Sequence, residues 1–113
     1  MITGAHAIIY SEAADEVRAF LRDVLGFGSV DAGGGWLVFA LPPAEVAVHP
    51  TEGESRHELY LMCDDIDATI AELAAKGVET QPVTVQRWGR LTSLVLPGGA
   101  QLGLYQPTHA TAI

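Results

Sequence analysis

One pattern limits the folds open to this chain more than any other. A strand, an amphipathic helix closed by glycine, and a run of further strands occur in that order twice within 113 residues. In the first half, Ala5 to Tyr10 is apolar and β-prone and reads as a strand. SEAADEVRAFLRDVLGFG follows, where Val17, Phe20, Leu21, Val24 and Leu25 recur at helical spacing and share one face. Ser11 stands where a cap belongs, Asp15 and Glu16 suit the positive end of the helix, and Gly26 or Gly28 can stop it. A glycine turn at 33–35, a strand over Trp36–Ala40, a break at Pro42-Pro43 and a strand over Glu45–His49 complete the unit.

The second half repeats the order. Glu58 to Cys63 reads as a strand, and Asp64 and Asp65 offer a cap. Ile66, Ile70, Leu73 and Ala74 line a helix that stops at Gly77. Strands follow near Val83–Gln86, Arg90–Leu96 and Gln101–Tyr105, with a tight Pro-Gly-Gly turn at 97–99. From His6 to Gly26 is 20 positions, and from Glu58 to Gly77 is 19. The repeat predicts an α+β fold with internal duplication. Module one spans about residues 1–50 and module two about 56–107, joined by the polar TEGES at 51–55. A short tail over 108–113 contains His109 and is expected to be mobile, and the whole chain 1–113 is expected to form one domain.

Composition narrows the partners. Apolar residues make up 49% and charged residues 18%, which suits a packed core rather than disorder. A net charge of −8 repels phosphate backbones and argues against nucleic acid. No apolar run is long enough to span a bilayer, and the first residues do not read as a signal peptide. Cys63 is the sole cysteine, so neither an internal disulfide nor a CxxC zinc pattern exists, which fits a cytoplasmic protein. The chain has no nucleotide-binding glycine pattern, nucleophile elbow or HExxH.

Three stretches carry a family likeness: HAIIYSEAADEVRAFLRDVLGF at 6–27, ELYLMCDDIDATIAELAAKGVE at 58–79, and RWGRLTSLVLPGGAQLGLYQP at 87–107. In order and spacing they resemble the glyoxalase/bleomycin-resistance/extradiol-dioxygenase (vicinal oxygen chelate) superfamily. The resemblance implies two βαβββ modules that form a curved mixed sheet, a half-barrel cup, with the helices outside. It implies four metal-ligand positions, one on the first and one on the last strand of each module. It also implies a homodimer, with the cup completed at or across the interface. The superfamily holds lyases, isomerases, epimerases, ring-cleaving dioxygenases, thiol transferases and metal-free drug-binding proteins, so fold alone does not select a reaction.

Carried onto this chain, the first ligand position is His6. The second-module position is Glu58 or His57, which point to opposite faces of a strand. With Glu58 inward, Leu59, Leu61 and Cys63 form an apolar row toward the helix, while Tyr60 and Met62 face the cavity. With His57 inward, Glu58 itself would be buried against the helix at a cost. The 20 positions from His57 to Gly77 match the first half, so His57 stays open. Gly103 stands where the family commonly carries a glutamate, and Ala47 holds the matching place in module one; neither side chain binds metal. His6 and Glu58 are then two ligands where about three are needed. His49, on the same strand face as Glu45 and Ala47, completes a two-His-one-carboxylate set if a bulge re-aims it. Gln101, Gly103 and Tyr105 share a face, and with Tyr60, Met62 and Trp88 they are the candidate binding residues. Arg87 and Arg90 are solvated charges or guides for an anionic ligand.

Two functions follow. The first is a small-molecule-binding protein, metal-free or with a degenerate metal site, holding an aromatic or amphipathic compound in the cup. A metal-free acid/base enzyme using Glu58 and a tyrosine differs from it only in turnover. The second is a divalent-metal-dependent lyase or dioxygenase-like enzyme using His6, Glu58 and a third ligand such as His49. Sequence leaves turnover open between them.

Overall fold

The computed structural model describes residues 6–45, 47, 52–53 and 56–113. Module one contributes helix α1 (Ala14–Ala19), a wider helical turn over Phe20–Val24, and a hairpin of β1 (Ser29–Asp31) and β2 (Leu37–Phe39). Module two contributes β3 (Tyr60–Met62), α2 (Ile66–Ala75), β4 (Thr84–Gln86), β5 (Gly89–Val95) and β6 (Gln101–Pro107). These four strands form an open mixed sheet in the order β3-β6-β5-β4, with β3 parallel to β6 and the other pairs antiparallel. The fold is α+β, as the repeated pattern predicts.

Strand alternation sorts the sheet into two faces. Leu61, Leu94, Leu102 and Leu104 point one way, where they pack with Ile66 and Leu73 of α2 and with Val17 and Phe20 of the first helix. Both helices therefore cover the same face. Fully burying each such side chain contributes about 1.5–3 kcal/mol, so this shared core fixes which face stays open. Tyr60, Gly103, Tyr105, Leu91 and Ser93 lie on that other face, in register across β3, β6 and β5.

The helix ends follow local chemistry. Asp65 caps α2 by accepting a hydrogen bond from the Ala68 amide at 3.1 Å. At the other end Gly77 takes φ +79°, which lets Val78 N–H reach Leu73 O and Gly77 N–H reach Ala74 O. That is a Schellman stop, with its apolar pair Leu73 and Val78 both buried. The Lys76 ammonium then donates to the Val24 carbonyl at 3.1 Å, tying α2 to the end of the first helix.

Several expectations differ from what the chain forms. The first helix is not one α-helix. Leu25 N–H bonds Phe20 O, five residues back, and this added residue keeps Leu21, Val24 and Leu25 against the core. Ala13, not Ser11, sits at the cap position, and the Ser11 hydroxyl accepts from the Ala13 amide at 3.0 Å. Residues 6–10 pair with no strand among the described residues, and Ile8 and Tyr10 are 63% and 87% exposed. β-prone sequence forms no strand without an edge to bond. Of the strand expected over Glu45–His49, residues 46, 48 and 49 lie outside the described residues. β1 carries no strand signal of its own and exists through its pairing with β2.

Candidate functional site

The open sheet face gathers aromatic rings. Tyr60 of β3 and Tyr105 of β6 come close through the β3–β6 register, in which Tyr60 pairs with Gly103. Trp88 lies on the turn between β4 and β5. Their ring centroids are 6.2 Å apart for Tyr60–Trp88, 5.9 Å for Tyr60–Tyr105 and 5.3 Å for Trp88–Tyr105, each pair edge to face. This geometry suits the ring quadrupole, and each such pair contributes about 0.5–1.5 kcal/mol beyond burial. His109 stacks on Tyr105 at 5.9 Å and 21° between planes.

Gly103 makes the Tyr60 position possible. A Cβ at 103 would stand 2.6 Å from Tyr60 Cε1 and 3.0 Å from Tyr60 Cγ. The tyrosine ring thus fills the space that a side chain at 103 would occupy.

Glu58 lies at the edge of this cluster. Its carboxylate accepts from the Tyr60 hydroxyl at 3.1 Å and from Arg56 Nε at 3.2 Å. Burial, chiefly, pushes the Tyr60 hydroxyl above the usual tyrosine range, and the bond to Glu58 adds to it. Burial also raises Tyr105, with the Glu45 charge contributing. Both phenols therefore stay protonated donors near neutral pH.

A cleft of about 430 Å³ runs beside the cluster. His57, Glu58, Tyr60, Ser93, Gln101 and Gly103 line it, together with Ile8 to Tyr10 of module one. His57 and Glu58 both reach this space. A second, apolar cavity of about 170 Å³ lies between the modules, lined by Leu25, Phe27, Leu61, Met62, Cys63 and neighbouring apolar residues. Met62, which shares strand parity with Tyr60, contributes to this second cavity. The Cys63 thiol donates toward Tyr105 O at 3.5 Å, and burial raises it above the ordinary thiol range. It is a poor nucleophile there.

Among the described residues, no three His, Cys, Asp or Glu side chains come together. His6 is exposed, and His49 lies outside the described residues. Among the described residues the donors do not make up a metal centre, and Tyr60 fills the space beside Gly103. Arg90 turns to the helix side and pairs with Asp67 at 3.0 Å, away from the open face. Sequence reading missed His109, whose stacking depends on how the segment after β6 folds back.

Several solved structures similar to this chain share one architecture. An antibiotic binding protein from Streptomyces sp. CB03234, TnmS3, matches with a TM-score of 0.64 at 26% identity, over 96% of this chain and 100% of that one. A glyoxalase/bleomycin resistance protein from the same organism matches with a TM-score of 0.58 at 28% identity, over 85% of this chain and 93% of that one. The chain carries the fold of the glyoxalase/bleomycin-resistance/dioxygenase superfamily. A lactoylglutathione lyase from Agrobacterium tumefaciens shares the superfamily fold at 16% identity, with a TM-score of 0.63 over 92% of each chain. No protein-family model matches the chain, and no curated protein matches its sequence. No helix of the described residues is long and apolar enough to cross a membrane.

Proposed function

We propose that this protein binds an aromatic or amphipathic small molecule on the open sheet face, without a metal or with a degenerate metal site. One observation carries the reading: Tyr60, Trp88 and Tyr105 form a mutually perpendicular aromatic cluster beside a cleft of about 430 Å³. Flat apolar area with polar tips, next to a few polar groups, is the common make-up of a ligand site. Glu58, His57, Ser93 and Gln101 supply those polar groups. Gly103, with the Tyr60 ring beside it, supports an aromatic rather than a metal-coordinating floor. The likeness to an antibiotic binding protein agrees.

The active form in this reading is a single-domain chain paired as a homodimer in the cytoplasm. The chain exposes 8370 Å². A folded monomer of 12.0 kDa exposes about 6,000 Å². The excess of roughly 2,400 Å² per chain, about 4,800 Å² over two copies, lies near the upper end of obligate-dimer interfaces. Ile8, Tyr10, Val30 and Trp36, all exposed in one copy, are the residues a second copy would cover. A strictly monomeric mass in light scattering would remove the pairing and leave the binding site standing.

Calorimetric titration with a fused-ring panel (2-naphthol, quinoline, isoquinoline, indole) tests the binding itself. At least one compound binds the native protein, and Tyr60→Ala or Tyr105→Ala weakens it about tenfold or more. Heat-silent titrations across the whole panel would overturn the reading. Metal analysis after reloading with divalent ions is the companion measurement; one tightly held ion per chain would contradict the metal-free assignment.

A further inference from the structure

The segment after β6 folds back over the aromatic face. Thr108 N–H donates to Trp88 O at 2.9 Å, and the Thr108 hydroxyl donates to Arg87 O at 3.2 Å. Further along, Ala112 N–H donates to Glu45 Oε2 at 2.7 Å. Between these anchors His109 lays its imidazole on Tyr105. The ring stays exposed on its outer side.

Chemistry fixes the tautomer. His109 Nδ1 lies 2.7 Å from Ala110 O, and a carbonyl only accepts, so Nδ1 carries the proton. In the neutral ring Nε2 is then a bare acceptor. It lies 3.2 Å from the Tyr105 hydroxyl, which therefore donates to it. The chain thus presents to its own aromatic face a flat heteroaromatic ring whose in-plane nitrogen accepts a hydrogen bond from Tyr105.

We propose that His109 is an internal stand-in for the ligand. The site takes a planar heteroaromatic compound with an acceptor ring nitrogen, which displaces the imidazole from Tyr105 and inherits its hydrogen bond. This rests on the small-molecule reading above and adds to it the ligand class and a competing segment. Two of the three anchors are exposed hydrogen bonds, each weak in water, so the segment lifts at small cost. A site occupied by its own segment most of the time binds with an apparent affinity reduced by the open fraction.

Isoquinoline and naphthalene are the probes, equal in shape and differing in the ring nitrogen. The native protein binds isoquinoline more tightly than naphthalene, and Tyr105→Phe abolishes that preference. His109→Ala, a change at an exposed position, tightens isoquinoline about tenfold by removing the competitor. In the free protein the His109 ring protons carry an upfield shift from the Tyr105 ring, and they move to the free-imidazole position as isoquinoline saturates. Unchanged or weaker binding in His109→Ala, or a His109 resonance that stays put on saturation, overturns the stand-in while leaving an aromatic site in place. Failure of both probes and of the fused-ring panel, in native protein and in His109→Ala alike, removes the site itself.

Discussion

Replacing Gly103 by alanine isolates the contact on which the aromatic face depends. In the middle of a strand, alanine for glycine ordinarily gains about 0.5–1 kcal/mol from reduced backbone freedom. Here the new Cβ would stand 2.6 Å from Tyr60 Cε1 and 3.0 Å from Tyr60 Cγ. Because Cγ sits at the root of the ring, tilting the ring tip does not relieve the clash, and the whole side chain must swing away. The swing forfeits the edge-to-face contacts with Trp88 and Tyr105, each about 0.5–1.5 kcal/mol. It also breaks the Tyr60–Glu58 hydrogen bond, which is exposed and small in net effect. Set against the backbone gain, Gly103→Ala destabilises by about 1–2 kcal/mol.

A double-mutant cycle reads this directly. Urea unfolding is measured for the native chain, Gly103→Ala, Tyr60→Ala and the double variant at one protein concentration, because pairing makes stability concentration-dependent. With the ring gone, the methyl at 103 enters open space, so Gly103→Ala in the Tyr60→Ala background is neutral or stabilises by about 0.5 kcal/mol. The coupling is therefore about 1–2.5 kcal/mol, above the 0.3–0.5 kcal/mol scatter of independent sites. Effects that add within that scatter would refute the argument that Tyr60 occupies the space beside Gly103.

Three further outcomes follow from the same geometry. Gly77→Ala places a side chain at φ +79° and costs about 1–2 kcal/mol in urea unfolding, and a loss under about 0.5 kcal/mol would mean the Schellman stop relaxes freely. Tyr60 and Tyr105 have hydroxyls raised in the folded chain, mainly by burial. Their stabilising contribution is complete below the unfolded value near 10 and fades as pH rises through the folded values, because the unfolded chain ionises first. Melting temperature then falls as pH rises above about 10, less steeply in Tyr105→Phe, and identical slopes would contradict it. Burial that raises the Cys63 thiol slows iodoacetamide at about pH 8 by roughly tenfold or more against the urea-unfolded chain, and equal rates would show an open thiol.

What could be read from the chain divides along the line between local and long-range chemistry. α2 was legible from end to end, because Asp65, the Ile66–Leu73 face and Gly77 act within a few residues. Strand parity read through in part: Leu59, Leu61 and Cys63 pack toward the helices and Tyr60 shares a face with Gly103 and Tyr105, but Met62 lines the apolar cavity beside Leu61 and Cys63. The contact between Tyr60 and Gly103 needed more, namely the pairing of β3 with β6 across 43 positions, which no local pattern encodes. Residues 6–10 show the converse, since their apolar run reads as a strand yet pairs with none among the described residues. His109 was invisible for a third reason. Small and polar residues around it read as a loose tail, whereas the neighbouring Thr108 bonds the Trp88 and Arg87 carbonyls through its amide and hydroxyl and brings the ring to Tyr105.

The aromatic face and a metal site compete for the same volume. The family resemblance gives position 103 to a glutamate, and a carboxylate there must pass through the space that Tyr60 now fills. Gly103→Glu alone would therefore bring an acid against a tyrosine ring rather than toward a metal. The ring would be expelled, with loss of its contacts to Trp88 and Tyr105. A route back to coordination requires a smaller residue at 60 together with an acid at 103, two changes of which each alone lowers stability. The two states of such a face are thus separated by a barrier in sequence: ring over glycine on one side, carboxylate beside a small residue on the other. The Tyr60 ring over Gly103 puts the described face on the first side, which is the ground for the metal-free binding proposed above.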